Sequence, residues 1–166
     1  IPGMVIINPA DDIEARAAVL AAAELDGPVY MRFGRFAVPV INDTPDYKFE
    51  LGKGVQLADG KDVTIVATGM MVQMAAQAAE ILAAEGISAR VLDFHTIKPI
   101  DKEAVIKAAK ATGKILTVED HNVLGGLGAR VADVLMEEGV PAQGKKIGVP
   151  DCFAELGYPE ELYPYY

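Results

Sequence analysis

Three ionisable side chains, Glu119, Asp120 and His121, lie between a short apolar run and a glycine-rich turn. The apolar run, residues 115–118, is rich in β-branched residues and typical of a strand, whereas the residues after the turn at 125–128 recur at helical spacing. The sequence therefore predicts a strand, a charged loop and a helix. Open α/β sheets bind ligands past the carboxyl ends of their strands, which is where this loop would lie.

Two arginines, Arg32 and Arg35, end another predicted strand, with Phe33 and Gly34 between them. A guanidinium group is permanently charged and presents a planar fork of donors, which suits phosphate and carboxylate groups. One of these arginines is thus the best anion ligand that the sequence offers. An ion pair at an interface or within the domain is the alternative, and the residues alone leave it open.

Two histidines could form a metal site or an acid/base pair, because each lies near an acidic residue and follows a strand. His95 comes two residues after Asp93, and His121 follows Asp120. Their spacing matches no strong zinc signature, so hydrogen-bonded histidines are the favoured interpretation.

The glycine turn begins like a dinucleotide-binding loop, but the third glycine of that motif would fall at Val131. Acidic residues just before the turn would also repel a pyrophosphate, so close packing of a helix on a strand explains the glycines better. The single cysteine, Cys152, excludes an internal disulfide and suits a reducing cytoplasm. We expect a buried or half-buried thiol there.

Composition predicts a folded globular protein of 166 residues, 51% hydrophobic and 23% charged. A net charge of -9 without any basic cluster argues against partners such as nucleic acid or an anionic membrane surface. The most apolar stretch, Ala67 to Ala84, carries polar residues three and four apart and predicts an amphipathic helix, not a membrane span. An anionic substrate would need locally placed cations.

Strand and helix patterns alternate along the chain and predict a mostly parallel sheet covered on both faces. A first β-α-β unit covers about the first 35 residues, and residues 36–50 form a proline-containing connection without a sustained period. Asp59-Gly60 resembles a hairpin turn, which predicts an antiparallel edge strand before the main sheet. The remaining patterns predict strands at 63–67, 89–94, 115–118 and 146–149, and helices in the stretch 67–84, at 102–112 and after 128.

Seven motifs occur in a fixed order, and together they resemble the transketolase family over essentially the whole chain. They are Pro2-Gly-Met, Asn8-Pro-Ala-Asp11, Gly27-Pro-Val-Tyr-Met-Arg-Phe-Gly-Arg35, Asp62-Val-Thr-Ile-Val-Ala-Thr-Gly69, Thr96-Ile-Lys-Pro-Ile-Asp101, Val118-Glu-Asp-His-Asn-Val-Leu-Gly-Gly-Leu-Gly128 and Gly148-Val-Pro-Asp-Cys-Phe153. The resemblance is strongest to the C-terminal subunit of split transketolases. Similar blocks occur in 1-deoxyxylulose-5-phosphate synthase and in the β subunits of 2-oxoacid dehydrogenases.

The resemblance implies a three-layer α/β/α C-terminal domain at 54–166 with one antiparallel edge strand. A linker at 39–53 would join it to residues 1–38, the last β-α-β unit of a pyrimidine-binding domain. The resemblance also implies truncation at both ends relative to the family. The family's Gly-Asp-Gly motif, which binds diphosphate and magnesium, has no match in the sequence.

The resemblance implies transfer of a two-carbon ketol unit between sugar phosphates. The complete enzyme would use thiamine diphosphate and Mg²⁺. It would be cytoplasmic and belong to the pentose phosphate pathway. Arg32 matches the family's phosphate-binding arginine, and Arg35 is the weaker candidate. Expected partners are an N-terminal half or subunit and a second copy, with Glu119, Asp120 and His121 as a possible interface loop. We expect this chain alone to bind no cofactor and to be inactive. A non-catalytic dimerisation module is the alternative.

Overall fold

A computed structural model describes residues 1–159 and 161–166 in full and the backbone alone at Glu160. Strands and helices alternate along most of the chain. Their order is β1 (Val5–Ile7), α1 (Asp12–Ala23), β2 (Val29–Met31), β3 (Val55–Ala58), β4 (Val63–Ala67), α2 (Met71–Ala84), β5 (Ala89–Asp93), β6 (Thr96–Lys98), α3 (Lys102–Thr112), β7 (Lys114–Asn122), α4 (Leu127–Glu137), β8 (Gln143–Val149) and α5 (Pro159–Tyr165).

Five strands form the main sheet in the order β3-β5-β4-β7-β8. The neighbours of β4 and the β7-β8 pair run parallel, and only β3 is antiparallel, to β5. The predicted mostly parallel sheet with one antiparallel edge strand is therefore confirmed.

Helices cover both faces of this sheet because the side chains of its central strand alternate. Ile65 and Ala67 of β4 pack with buried residues of α2, whereas Val66 packs with those of α3 and α4. The result is the expected α/β/α arrangement of three layers, with a separate apolar core on each side of the sheet.

The predicted hairpin at Asp59-Gly60 is wrong, because β3 pairs with β5 and not with β4. The turn is instead fastened to the start of β5. Arg90 donates two hydrogen bonds to Asp59 Oδ1, from Nε at 3.1 Å and Nη2 at 2.7 Å. A side chain on Gly60 would collide with the backbone of Ala89 and Arg90, so glycine permits this close crossing.

The first β-α-β unit, hereafter the N-terminal unit, is joined to the rest of the chain through a second sheet, ordered β2-β1-β6. Strand β1 pairs in parallel with β2 and antiparallel with β6, whose residues come from the segment between β5 and α3. The sequence patterns do not predict β6. Its pairing makes the N-terminal unit continuous with the larger part of the molecule.

The prediction of a loop at Glu119, Asp120 and His121 is also wrong, because these residues belong to β7. The strand continues because its end still pairs with β8: Asn122 lies opposite Val149, after an irregularity that follows Val118. The loop before α4 therefore starts after Asn122, later than the run of charged residues predicts.

The expectation of a buried or half-buried Cys152 is wrong as well, since the thiol is exposed. Cys152 lies in the irregular segment between β8 and α5, where the neighbouring Phe153 and Leu156 are also exposed. In that segment the side chains have no opposing layer to bury them.

Helix α1 is tied to the connection that follows β2 by a polar cluster, defined here as Asp11, Glu14 and Tyr47. Asp11 caps the helix by accepting from the Glu14 amide at 2.9 Å, and its other oxygen accepts from the amides of residues 41 and 42. Glu14 accepts from the Ala10 amide at 2.7 Å and from the Tyr47 hydroxyl at 2.8 Å. The cluster thus fixes residues 41–47 of the connection against the start of α1.

Two acidic side chains, Glu14 and Asp93, are both 0% exposed and lie close enough for their charges to interact. Neither oxygen of Asp93 has a hydrogen-bond partner among the described residues, and a buried carboxylate without a donor is costly, which favours the protonated form. Loss of solvation by burial, together with the mutual charge of the pair, raises the pKa of Asp93 well above its ordinary value and also raises the pKa of Glu14. Burial therefore favours a protonated Asp93.

No described helix of this chain combines the length and the apolar character that a membrane span requires.

We predict that the free energy of unfolding falls as pH rises above about 4. The unfolded chain loses the Asp93 proton near the ordinary value of 3.8, whereas the folded chain keeps it until the raised pKa is reached. Each unit by which the pKa of Asp93 in the folded chain exceeds that in the unfolded chain lowers the free energy of unfolding by about 1.4 kcal/mol across this pH range. Urea denaturation at a series of pH values measures the slope.

Asp93→Asn removes the buried ionisable group, so this variant should show a flatter pH profile and equal or greater stability at neutral pH. The control is Asp133→Asn, at an exposed position of α4. A profile in Asp93→Asn as steep as that of the parent chain would contradict a raised pKa for Asp93 in the folded chain.

Candidate functional site

Arg32 lies directly after β2, at the point where the N-terminal unit meets the main sheet. Its backbone amide donates to the Ile7 carbonyl at 2.9 Å, which continues the pairing with β1 by one residue. Its guanidinium Nη2 donates to Asp120 Oδ2 at 3.2 Å. The Arg32 and Asp120 side chains are 34% and 30% exposed, so this ion pair remains open to solvent.

A cavity of about 530 Å³ opens beside this ion pair, within the size range of small-molecule sites. Arg32 and Arg35 contribute positive charge and Glu119 and Asp120 negative charge, while most of the other lining side chains are apolar. The lining residues are Arg32, Phe33, Gly34, Arg35, Phe36, Met70, Met71, Met74, Val118, Glu119, Asp120, Ile147, Gly148, Val149, Ala154, Gly157, Pro159, Leu162, Tyr163 and Tyr166.

The carboxylate of Glu119 binds the start of α4. Its oxygens accept from the Leu127 amide at 2.7 Å and the Gly128 amide at 2.9 Å. These are free donors of the first helical turn, where the helix dipole also favours negative charge. Glu119 is 3% exposed and thus acts as a buried helix cap at the cavity wall.

The glycines before α4 are required by this close contact. A Cβ at Gly126 would collide with the Glu119 carboxylate, and one at Gly128 would lie 2.5 Å from Thr117 Oγ1. These clashes favour the packing interpretation of the glycine turn over a nucleotide-binding one.

The two histidines occupy different environments. His121 is exposed and its Nδ1 lies 2.8 Å from the Asn122 carbonyl and 3.9 Å from Glu119 Oε2. His95 is 0% exposed, stacks on the Phe49 ring at 4.3 Å and places Nδ1 2.8 Å from Thr96 Oγ1. Burial lowers the pKa of His95 to about 4, so its ring is neutral at physiological pH. Both fit the hydrogen-bonded interpretation.

Among the described residues, no group of three or more His, Cys, Asp or Glu side chains is placed to hold a metal ion. Within the described part of the lining, the charged side chains are two arginines and two acids, and Glu119 is already engaged by α4. This donor set suits an anion at Arg32, and it does not fit a magnesium-diphosphate group.

The sequence analysis does not predict that α5 lines the cavity. Leu162 and Tyr163 of this helix and Tyr166 directly after it line the cavity, and the Tyr163 hydroxyl contacts Met70 Sδ at 3.3 Å. Tyr166 follows Tyr163 by three residues and Leu162 by four, which is the spacing of neighbours on one helix face, and this signal is present in the sequence. Arg35, the weaker of the two predicted anion ligands, lines the same cavity and is exposed.

Comparison with known proteins gives a consistent result. Residues 52–166 match the family model for the transketolase C-terminal domain. The chain is 46% identical to a subunit of the apulose-4-phosphate transketolase of Phocaeicola vulgatus, over 99% of this chain and 52% of that protein. It is 43% identical to a putative transketolase C-terminal section of Methanocaldococcus jannaschii, over 100% of this chain and 52% of that protein.

A more distant similarity, 41% identity, links 95% of the chain to 24% of a 1-deoxy-D-xylulose-5-phosphate synthase of Heliobacterium modesticaldum. Among solved structures, a split-gene transketolase described as an inactive β4 tetramer matches with a TM-score of 0.94 and 49% identity. That match covers 100% of this chain and 54% of the other. A transketolase of Pichia stipitis in complex with sedoheptulose-7-phosphate shares the fold, with a TM-score of 0.74 at 24% identity, over 99% of this chain and 23% of the other.

The chain thus spans about half the length of the first two relatives named above. Its ordered motifs, its three-layer fold and these matches agree over the whole chain. The chain belongs to the transketolase family, of which it is a C-terminal part.

Proposed function

We propose that this chain serves a transketolase that transfers a two-carbon ketol unit between sugar phosphates, and that its Arg32 binds the substrate phosphate. The observation that supports this proposal is the position of the Arg32 guanidinium, partly exposed beside a cavity where two parts of the fold meet. A forked, permanently charged donor in such a place suits a phosphate group. The net charge of -9 makes a local cation necessary.

The proposed domain organisation follows the family: residues 1–38 end a pyrimidine-binding domain, 39–53 form a linker and 54–166 form the C-terminal domain. The cofactor would be thiamine diphosphate with Mg²⁺, which supplies the carbanion chemistry when bound. Since the described cavity does not fit a magnesium-diphosphate group, another part of the enzyme would hold it. This chain's contribution is to bind and orient the phosphate end of the sugar.

The proposed partners are an N-terminal transketolase half or subunit and a second copy of this chain. The Phocaeicola vulgatus relative is named as one subunit of its enzyme, which supports the first partner, and the β4 tetramer of the split-gene relative supports self-association. Glu119, Asp120 and His121 are proposed to serve contacts between domains or subunits. The proposed location is the cytoplasm.

The isolated chain should show no binding of thiamine diphosphate in calorimetric titration with Mg²⁺, because its sequence lacks the family's Gly-Asp-Gly motif and its described residues offer no cluster of metal ligands. The assembled enzyme that contains this chain, hereafter the complete enzyme, is the positive control under the same conditions. Micromolar binding by the isolated chain would contradict the proposed division of roles.

Arg32→Ala in the complete enzyme should lower kcat/KM for phosphorylated acceptors by roughly 2 to 4 kcal/mol, the scale of a lost charge-assisted contact. The loss for unphosphorylated glycolaldehyde should be much smaller, because that acceptor has no phosphate to bind. Steady-state kinetics with both acceptors measures the difference.

Arg35→Ala is the matched control, since Arg35 lines the same cavity and carries the same charge. Equal losses for both acceptors in Arg32→Ala, or discrimination by Arg35→Ala instead, would overturn the assignment of Arg32.

A further inference from the structure

We propose that Asp120 is a positioning residue for Arg32: it holds the guanidinium at the cavity and, through its own charge, weakens the affinity of the site for phosphate. This inference rests on the proposed role of Arg32. It goes further because it assigns a second residue, 88 positions away in the chain, to the same site. The affinity of the site for phosphate would then depend on both charges, because Arg32 attracts the phosphate and Asp120 repels it.

The geometry of the pair leaves Arg32 able to bind a further anion. The contact joins Nη2 to Oδ2 alone, at 3.2 Å, and it is the one hydrogen bond of the guanidinium within the described part of the chain. A guanidinium has five N–H donors, so most of the fork remains free. Asp120 therefore fixes the direction of Arg32 without occupying its binding edge.

The Arg32–Asp120 ion pair contributes little to the stability of the fold. Both side chains are about one-third exposed, and pairs of this kind typically contribute between 0 and 1 kcal/mol to folding. The pair instead connects the end of β2 with the end of β7, the two strands that bring Arg32 and Asp120 to the cavity. This location favours a role in the site.

The two acids at the cavity differ in their availability. Glu119 is buried and accepts two amide hydrogen bonds from the start of α4, which offsets its charge. Asp120 has Arg32 as its described hydrogen-bond partner and is 30% exposed. Its negative charge consequently acts on any anion that reaches Arg32 and opposes binding.

The test compares Asp120→Asn with Asp120→Ala in the complete enzyme. Asparagine keeps an oxygen that can accept from Arg32 but removes the charge, whereas alanine removes both. For a phosphorylated acceptor, Asp120→Asn should lower KM about three- to tenfold, the effect of one charge removed at short range near a partly exposed site. The KM of Asp120→Ala should be several-fold above that of Asp120→Asn, because the guanidinium is no longer oriented.

Glycolaldehyde is the matched substrate, and its KM should be the same in both variants. Asp133→Ala is the matched control variant, because it removes a similarly exposed ion pair, Arg130 to Asp133 at 2.8 Å, from α4. In an Arg32→Ala background, the difference between Asn and Ala at position 120 should vanish, since there is no guanidinium left to hold.

Three results would overturn the inference: equal KM values for the Asn and Ala variants, an increase in KM for Asp120→Asn, or equal changes for both acceptors. Failure of the proposed function itself is recognised separately. In that case Arg32→Ala alone does not discriminate between phosphorylated and unphosphorylated acceptors, whatever residue stands at position 120.

Discussion

The attachment of the N-terminal unit to the main sheet fixes the position of the candidate site, and hydrogen bonds at Asn8, directly after β1, provide this attachment. The Asn8 amide donates to the His95 carbonyl at 2.8 Å, and the Asn8 carbonyl accepts from the Gly69 amide at 3.1 Å. The pairing of β1 with β6 adds a backbone connection beside them. Together these contacts set where β2 ends and hence where Arg32 lies.

The candidate site lies where the N-terminal unit meets the C-terminal part of the fold, and each part contributes some of its charged groups. Arg32 comes from the N-terminal unit, whereas Asp120, the Glu119 cap and the α5 wall come from the C-terminal part. The largely apolar lining keeps the few charged groups in contact with one another and excludes competing polar partners. Under the proposed function, one guanidinium carries the recognition of the substrate phosphate. The family membership and this geometry support the same proposal from independent observations.

Local signals were sufficient for much of the fold. The helix predicted at 102–112 matches α3, because Asp101 caps its start and Gly113, with φ of 65°, ends it. Non-local pairing was not predictable: β6 joins a sheet begun about 90 residues earlier, and β7 continues through charged residues because β8 supports it. The same holds for the site. Arg32 is recognisable from its strand and family motif, but its contact with Asp120 follows only from the assembled topology.

The most direct measurement is a crystal structure of the complete enzyme with a phosphorylated ketose bound. The account predicts the sugar phosphate within hydrogen-bond distance of the Arg32 guanidinium, with Asp120 still in contact with the same side chain. A phosphate held by other residues, with Arg32 bonded to Asp120 alone and pointing away from the sugar, would contradict the account.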